Sequence, residues 1–315
     1  MAVSNDPIAR ASADVGTYLQ RWAQDGYFVV TSLLRADEVM SFLEIAERLI
    51  RQYQDRDPIT GRRGFLVNPH IMSSIDNRDR YADCPRHWYE VMDLIASPRL
   101  AGTAARLMRG DPLFASSALL IDPALPYALD MYAQRLAAPD GAGSWHRDVP
   151  VHKPDYVEKE ELLADREGRN WVQVQIPLVR SNAFEFVPGS QSRWDTPAEL
   201  VARKHGTTLE ERTSPLPGGC RIELEPGDAL FVNPNGLHRG WYTHGVRRRT
   251  LAVAYSRSDG PTDHLQDSVV RWSSRPEDLE GLSLETRVFV QRYVDVCQRV
   301  IDPKVDRRAT PENER

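Results

Sequence analysis

Apolar residues in the first third of the chain recur at helical spacing. Between Ala36 and Tyr53, the positions Val39, Phe42, Leu43, Ala46, Leu49 and Ile50 fall on one face of a helix. The same period predicts helices over Asp14 to Gln24, stopped by Asp25-Gly26, over His87 to Ile95 and over Pro98 to Met108. One β-branched and aromatic run, Tyr27 to Val30, interrupts them. Gly110-Asp111-Pro112 closes this mostly helical part, residues 1–112.

From about Leu113 the period shortens. Ser117–Ile121, Tyr127–Leu136, Trp171–Leu178, Ala183–Val187, Arg221–Leu224, Ala229–Val232 and Thr250–Ser256 have the length and composition of strands, with Pro, Gly and Asp between them. Many short strands at this spacing predict a mainly β core, antiparallel, as a sandwich or jelly roll over residues 113–257. Two charged, helix-favouring stretches interrupt it, 153–170 and 196–215. Each is a lid candidate beside whatever site the core carries, or else a solvated surface helix. Helical periodicity returns over 258–302, with Val288, Phe289, Val290, Tyr293, Val294 and Val300, and a polar tail, 303–315, is expected to fray.

Composition narrows the function classes. A chain of 315 residues with 41% hydrophobic and 27% charged residues can bury a substantial core, and is expected to form a single domain. Forty basic against 45 acidic residues gives a net charge of −5, with arginines clustered only at 247–249. That argues against nucleic acid and favours small molecules as partners. No apolar stretch nears the ~20 residues that span a bilayer, and no basic segment followed by an apolar one opens the chain, so no membrane partner and a cytoplasmic location are expected. Cys84, Cys220 and Cys297 are sparse and form no CxxC pair, which suits a reducing compartment. Oligomeric state is not legible.

Chemistry concentrates at Ser144-Trp-His-Arg-Asp148. In an extended strand, residues i and i+2 point to one side, so His146 and Asp148 can share a metal ion, and a distant third ligand such as His238 would complete one face of an octahedron. Downstream come Phe184-Glu-Phe-Val-Pro-Gly-Ser190, Glu225-Pro-Gly-Asp-Ala-Leu-Phe231, His238-Arg-Gly240 and Arg249-Thr-Leu-Ala-Val-Ala-Tyr255. In that order and spacing, these segments resemble the phytanoyl-CoA dioxygenase family of Fe(II)/2-oxoglutarate oxygenases, from about residue 20 to about residue 257.

The resemblance implies a double-stranded β-helix of the cupin-like jelly-roll type, with His146, Asp148 and His238 as both metal ligands and catalytic residues. It implies Fe(II) as metal, with 2-oxoglutarate and O2 as co-substrates. It also implies oxidation of a C–H bond in a small organic molecule, by default hydroxylation, with desaturation, cyclisation or epoxidation as variants. Asp148 stands where related halogenases have a small residue, so chlorination is not expected. Family spacing selects Arg249 for the distal carboxylate of 2-oxoglutarate. On the predicted strand Arg249 shares a face with Leu251, Val253 and Tyr255, read as the inner row, whereas Arg247 and Arg248 are expected in solvent. Tyr132 and Gln134 are further co-substrate candidates, with Gln173 and Gln175 weaker ones. Substrate candidates by position are Arg147, His152, Phe186, Arg239 and Trp241, with Trp145, Phe184, Trp194 and Tyr242 also expected to border the cavity.

Two positions depart from the family pattern, Ala183 where Gly is common and Gln191 where His is. Two rival readings stay open: a cupin-like metalloenzyme without 2-oxoglutarate, which usually carries a His-x-His element absent here, and a non-catalytic binding protein on the same scaffold.

Overall fold

A computed structural model describes residues 15–64, 70–122, 141–148, 153–243, 245–260 and 279–308, the side chains of the last segment as far as residue 296. The expected strand Tyr127–Leu136, with Tyr132 and Gln134, lies outside the described residues, as does His152.

Helices α1 (Val15–Asp25), α2 (Ala36–Arg56), α3 (Pro85–Ala96) and α4 (Thr103–Met108) form the N-terminal part. Two insertions carry α5 (Asp155–Ala164), then α6 (Pro197–Leu200) and α7 (Leu209–Thr213). The chain closes with α8 (Leu284–Arg308), which continues helically beyond residue 302, where a frayed tail was expected. No helix among the described residues is long and apolar enough to cross a membrane.

The strands are β1 (Tyr27–Val30), β2 (Ile71–Ser73), β3 (Pro112–Ile121), β4 (Gly141–Ala142), β5 (Trp171–Pro177), β6 (Ser181–Phe186), β7 (Cys220–Leu224), β8 (Ala229–Val232), β9 (His238–Tyr242) and β10 (Arg249–Arg257). They form two antiparallel sheets, a larger one in the order β1-β8-β5-β10-β3-β2 and a smaller one in the order β4-β9-β6-β7. β9 was visible in the sequence only as a His-Arg-Gly motif.

The larger sheet is buried on both faces. Its outer face, with Val172, Val174, Ile176, Leu251, Val253, Tyr255, Leu119 and Phe231, packs under α2, α3, α4 and α8 in one continuous core. Its inner face meets the smaller sheet. At one end Leu230 and Val232 pack there against Phe184, Phe186, Ile222 and Leu224. At the other end, small or polar residues leave a cavity.

Local sequence accounts for the joints. Gly26 ends α1 in a left-handed conformation (φ +81°), its N–H bonding the Arg21 and Trp22 carbonyls. A Cβ there would lie 2.4 Å from Gln191 Oε1. Gln191, the unusual residue after Pro188-Gly-Ser190, donates in turn to the Ala23 and Gln24 carbonyls, tying the helical part to the jelly roll. Ala183 needs no positive φ, because β6 carries an irregularity in register between Ser181 and Phe184.

The insertions meet in a buried charge network. Glu158 of α5 pairs with Arg203 and Lys204, Arg203 with Asp195, and Asp195 with Arg147. The Glu158, Asp195, Arg203 and Arg147 side chains are all under 10% exposed. The segment expected to be a lid or a solvated helix is thus bolted to the second insertion by partners about 45 residues away.

Candidate metal centre and co-substrate cavity

Three side chains from two distant segments converge at the mouth of the cavity. His146 and His238 are bridged across their backbones, each N–H bonding the other's carbonyl at 3.0 Å. Asp148 follows two residues after His146, its N–H held by the Pro234 carbonyl. These bonds fix where three side chains begin. The ligand atoms then lie within 4.8 Å of one another, with Asp148 Oδ1 3.6 Å from the Nε2 atom of each histidine.

The hydrogen bonds set the protonation state the metal requires. His146 Nδ1 lies 2.9 Å from the Ser144 carbonyl and His238 Nδ1 2.9 Å from the Gly236 carbonyl. A carbonyl only accepts, so each Nδ1 carries a proton and each Nε2 faces the other candidate ligands. Burial opposes ionisation of Asp148, yet His238, His146 and Gln173 together hold its carboxyl at about 2. Burial, and then the charge of His238, push His146 below its usual value. Burial opposes protonation of His238, but Asp148 and the Gly236 carbonyl raise it above its usual value, so a metal ion binding there would displace a proton. Two imidazoles so freed and one carboxylate suit Fe(II), with one face of an octahedron covered and the other open. The His146 and Asp148 side chains are 42% and 34% exposed, toward that open face.

Behind the ligands lies a cavity of about 210 Å³, lined by Ser116, Ala118, Gln173, Gln175, Ala252 and Ala254 on its larger-sheet side. Phe184 stacks on the His238 ring at 5.4 Å and forms part of the wall. At the far end stand His70, Tyr242 and Arg248, all lining residues. The guanidinium of Arg248 is buried and, among the described residues, has no carboxylate partner, and burial pushes its pKa down. Among the described residues its Nε has no hydrogen-bond partner, and neither does the buried Thr250 hydroxyl two residues on, on the same strand face. Burial, and then the charge of Arg248, lower His70 to about 4, so it is neutral at physiological pH. Among the described residues Arg248 is an uncompensated cation at the end of the cavity away from Asp148, which suits an anion, and its planar fork suits a carboxylate.

The expected arginine is elsewhere. Arg249 does share a face with Leu251, Val253 and Tyr255, but that face packs under the helices. Its guanidinium is held there by Glu47 at 2.6 Å and by Asp122. Arg248, expected in solvent, shares the cavity face with Thr250, Ala252 and Ala254. Arg247 is half exposed and pairs with Glu47.

The same alternation removes most of the substrate candidates from the cavity wall. Arg147 sits between the ligands His146 and Asp148 and so points away, to Asp195 and the Ser190 and Asn235 carbonyls. Arg239 and Trp241 alternate with His238, Gly240 and Tyr242, and both bond Glu185 at 2.7 Å on the opposite face. Phe186 is wholly buried between the sheets. Trp145 donates to the Ser214 carbonyl and Trp194 lies against Arg203. Phe184 and Tyr242 do line the cavity, as do the two weaker candidates Gln173 and Gln175.

The family model described as phytanoyl-CoA dioxygenase matches residues 22–249. Three solved structures share the fold at a TM-score of 0.50. One is the non-heme alpha ketoglutarate dependent epimerase SnoN from nogalamycin biosynthesis (17% identity, 80% of this chain, 85% of that one). The others are EctD from S. alaskensis with bound Fe (16%, 82% and 80%) and HygX from Streptomyces hygroscopicus with iron bound (15%, 77% and 86%). No curated protein matches the chain.

Proposed function

Since this chain belongs to the phytanoyl-CoA dioxygenase family, we propose that its cavity catalyses a 2-oxoglutarate-dependent oxidation, most simply hydroxylation, of a C–H bond in a small organic molecule. The family depends on Fe(II) and 2-oxoglutarate. The observation that carries the reading is a pair of complementary features in one cavity: a ligand set with an open face at its mouth, and an uncompensated arginine at its far end. A cupin-like enzyme without 2-oxoglutarate has no use for the second feature, and a binding protein has no use for the first.

His146, His238 and Asp148 would hold the iron through Nε2, Nε2 and Oδ1. Bound there, Fe(II) supplies O2 activation coupled to decarboxylation of 2-oxoglutarate. Every other role falls to the chain. Arg248 binds the distal carboxylate, and the Thr250 hydroxyl supplies a second donor on the same strand face. Ala118, Ala252 and Ala254 leave the width that a bound diacid needs. Phe184, stacked on His238, keeps water from one side of the ligand set. The partly exposed sides of His146 and Asp148 lie at the cavity mouth, so a C–H bond presented there would be the one to react, and its placement would decide between hydroxylation and the other outcomes.

Anaerobic titration tests the reading. Fe(II) and 2-oxoglutarate together should develop a weak visible metal-to-ligand charge-transfer band that neither produces alone. His146→Ala should abolish it while leaving the far-ultraviolet circular dichroism unchanged. A parent protein that binds Fe(II) but develops no such band would favour the 2-oxoglutarate-independent enzyme, and one that binds no iron would favour the binding protein.

A further inference from the structure

We infer that Gln173 is a positioning residue for the metal centre, which holds Asp148 as a one-oxygen ligand. The two carboxylate oxygens of Asp148 are not equivalent. Oδ1 faces both imidazoles, 3.6 Å from each Nε2. Oδ2 accepts a hydrogen bond from Gln173 Nε2 at 3.1 Å. The amide is oriented without ambiguity, because its oxygen would repel the carboxylate. With Oδ2 so engaged, only Oδ1 is free to bind, and three positions remain for 2-oxoglutarate and O2.

Several features mark this contact as more than packing. Gln173 lies on β5, a strand in the middle of the larger sheet, opposite Val232 on one neighbour and Ala254 on the other. Its backbone cannot drift. Flanking Val172 and Val174 point into the apolar core, whereas Gln173 turns an amide into the cavity. Its Oε1 is buried with no hydrogen-bond partner among the described residues. Burying an amide with half its bonding unmet costs stability that an apolar side chain would not. The polar contact its side chain makes among the described residues is to the proposed ligand Asp148.

The inference rests on the reading of His146, Asp148 and His238 as ligands, and the test separates the two. Gln173→Met keeps length and volume and removes the donor. Anaerobic competition against a chelator should show Fe(II) affinity lowered by about 10- to 100-fold, the range typical for partners of metal ligands. The visible d–d bands of the Co(II)-loaded variant should weaken as the freed carboxylate binds through both oxygens and coordination number rises. Thermal unfolding of the metal-free variant should stay close to the parent, which a merely structural role would not predict. If Met misfolds, Gln173→Leu is read in the same way. Metal affinity within twofold of the parent, with unchanged Co(II) bands, overturns the inference. Asp148→Ala run alongside should lose metal binding altogether. If it does not, the ligand reading itself fails.

Discussion

A guanidinium stripped of water and given no carboxylate is costly to keep, and Arg248 is in that position among the described residues. The cost is recovered when an anion binds. Arg248→Met should therefore weaken 2-oxoglutarate binding by about 30-fold or more, corresponding to roughly 2–5 kcal/mol for losing one partner of a buried charge pair. Calorimetric titration of Ni(II)-loaded protein, which does not turn over, measures this directly. Arg249→Met should leave that affinity near the parent value and instead lower the melting temperature, because Glu47 and Asp122 lose their shared cation. The reverse pattern would return the role to Arg249 and shift the strand by one residue. Alternation alone could not decide between these neighbours. β10 is buried on both faces, so neither face looks like solvent, and Leu251, Val253 and Tyr255 read as an inner row equally well from either side. Small residues at Ala252 and Ala254 were the available signal, since a face kept free of bulk is a face that leaves a cavity. The proposed ligands His146 and Asp148 were legible for the opposite reason. Their spacing is local, two residues in an extended segment, and needs no knowledge of the far side of the sheet.

At the scale of elements, the two insertions behave as one body. The charges of 153–170 read as a lid candidate or a solvated helix because nothing in that stretch reveals that Glu158 meets Arg203 and Lys204, or that Arg203 meets Asp195. Such pairings are tertiary and leave no local pattern. Asp195 is fully buried between Arg147 and Arg203, so its removal takes the carboxylate partner from buried Arg147 and leaves Arg203 with Glu158 alone. Asp195→Ala should cost about 3–5 kcal/mol, read from denaturant midpoints. Arg147 stands between two proposed metal ligands, so the same change should also lower Fe(II) affinity. Hydrogen exchange provides the element-level test of the lid idea. With Glu158 anchored, α5 should be protected to the same degree with and without substrate. Protection that appears only on substrate binding would mean that the network opens in the free enzyme.

At the scale of the whole molecule, the N-terminal helices, the outer face of the larger sheet and α8 share one apolar core. Phe289 of α8 meets Tyr255 edge to face at 6.3 Å, and Tyr293 meets Phe114 at 6.1 Å. Tyr255 lies on β10, whose opposite face forms part of the cavity wall, so the C-terminal helix supports the site from behind. The helical and β parts were each visible in hydrophobic periodicity. Their union was not, because periodicity shows that a face is buried without showing what buries it. We therefore expect one folding unit across 15–296. Tryptophan fluorescence, which samples Trp22, Trp88, Trp145 and Trp171 in different elements, and far-ultraviolet circular dichroism should give coincident denaturant transitions. Phe289→Ala should shift both together, by about 3–5 kcal/mol, and should weaken 2-oxoglutarate binding only as far as the folded population falls. A transition in which helical signal is lost before the tryptophans move would instead show that the jelly roll keeps its core without α8, and would divide the chain where the β pattern ends.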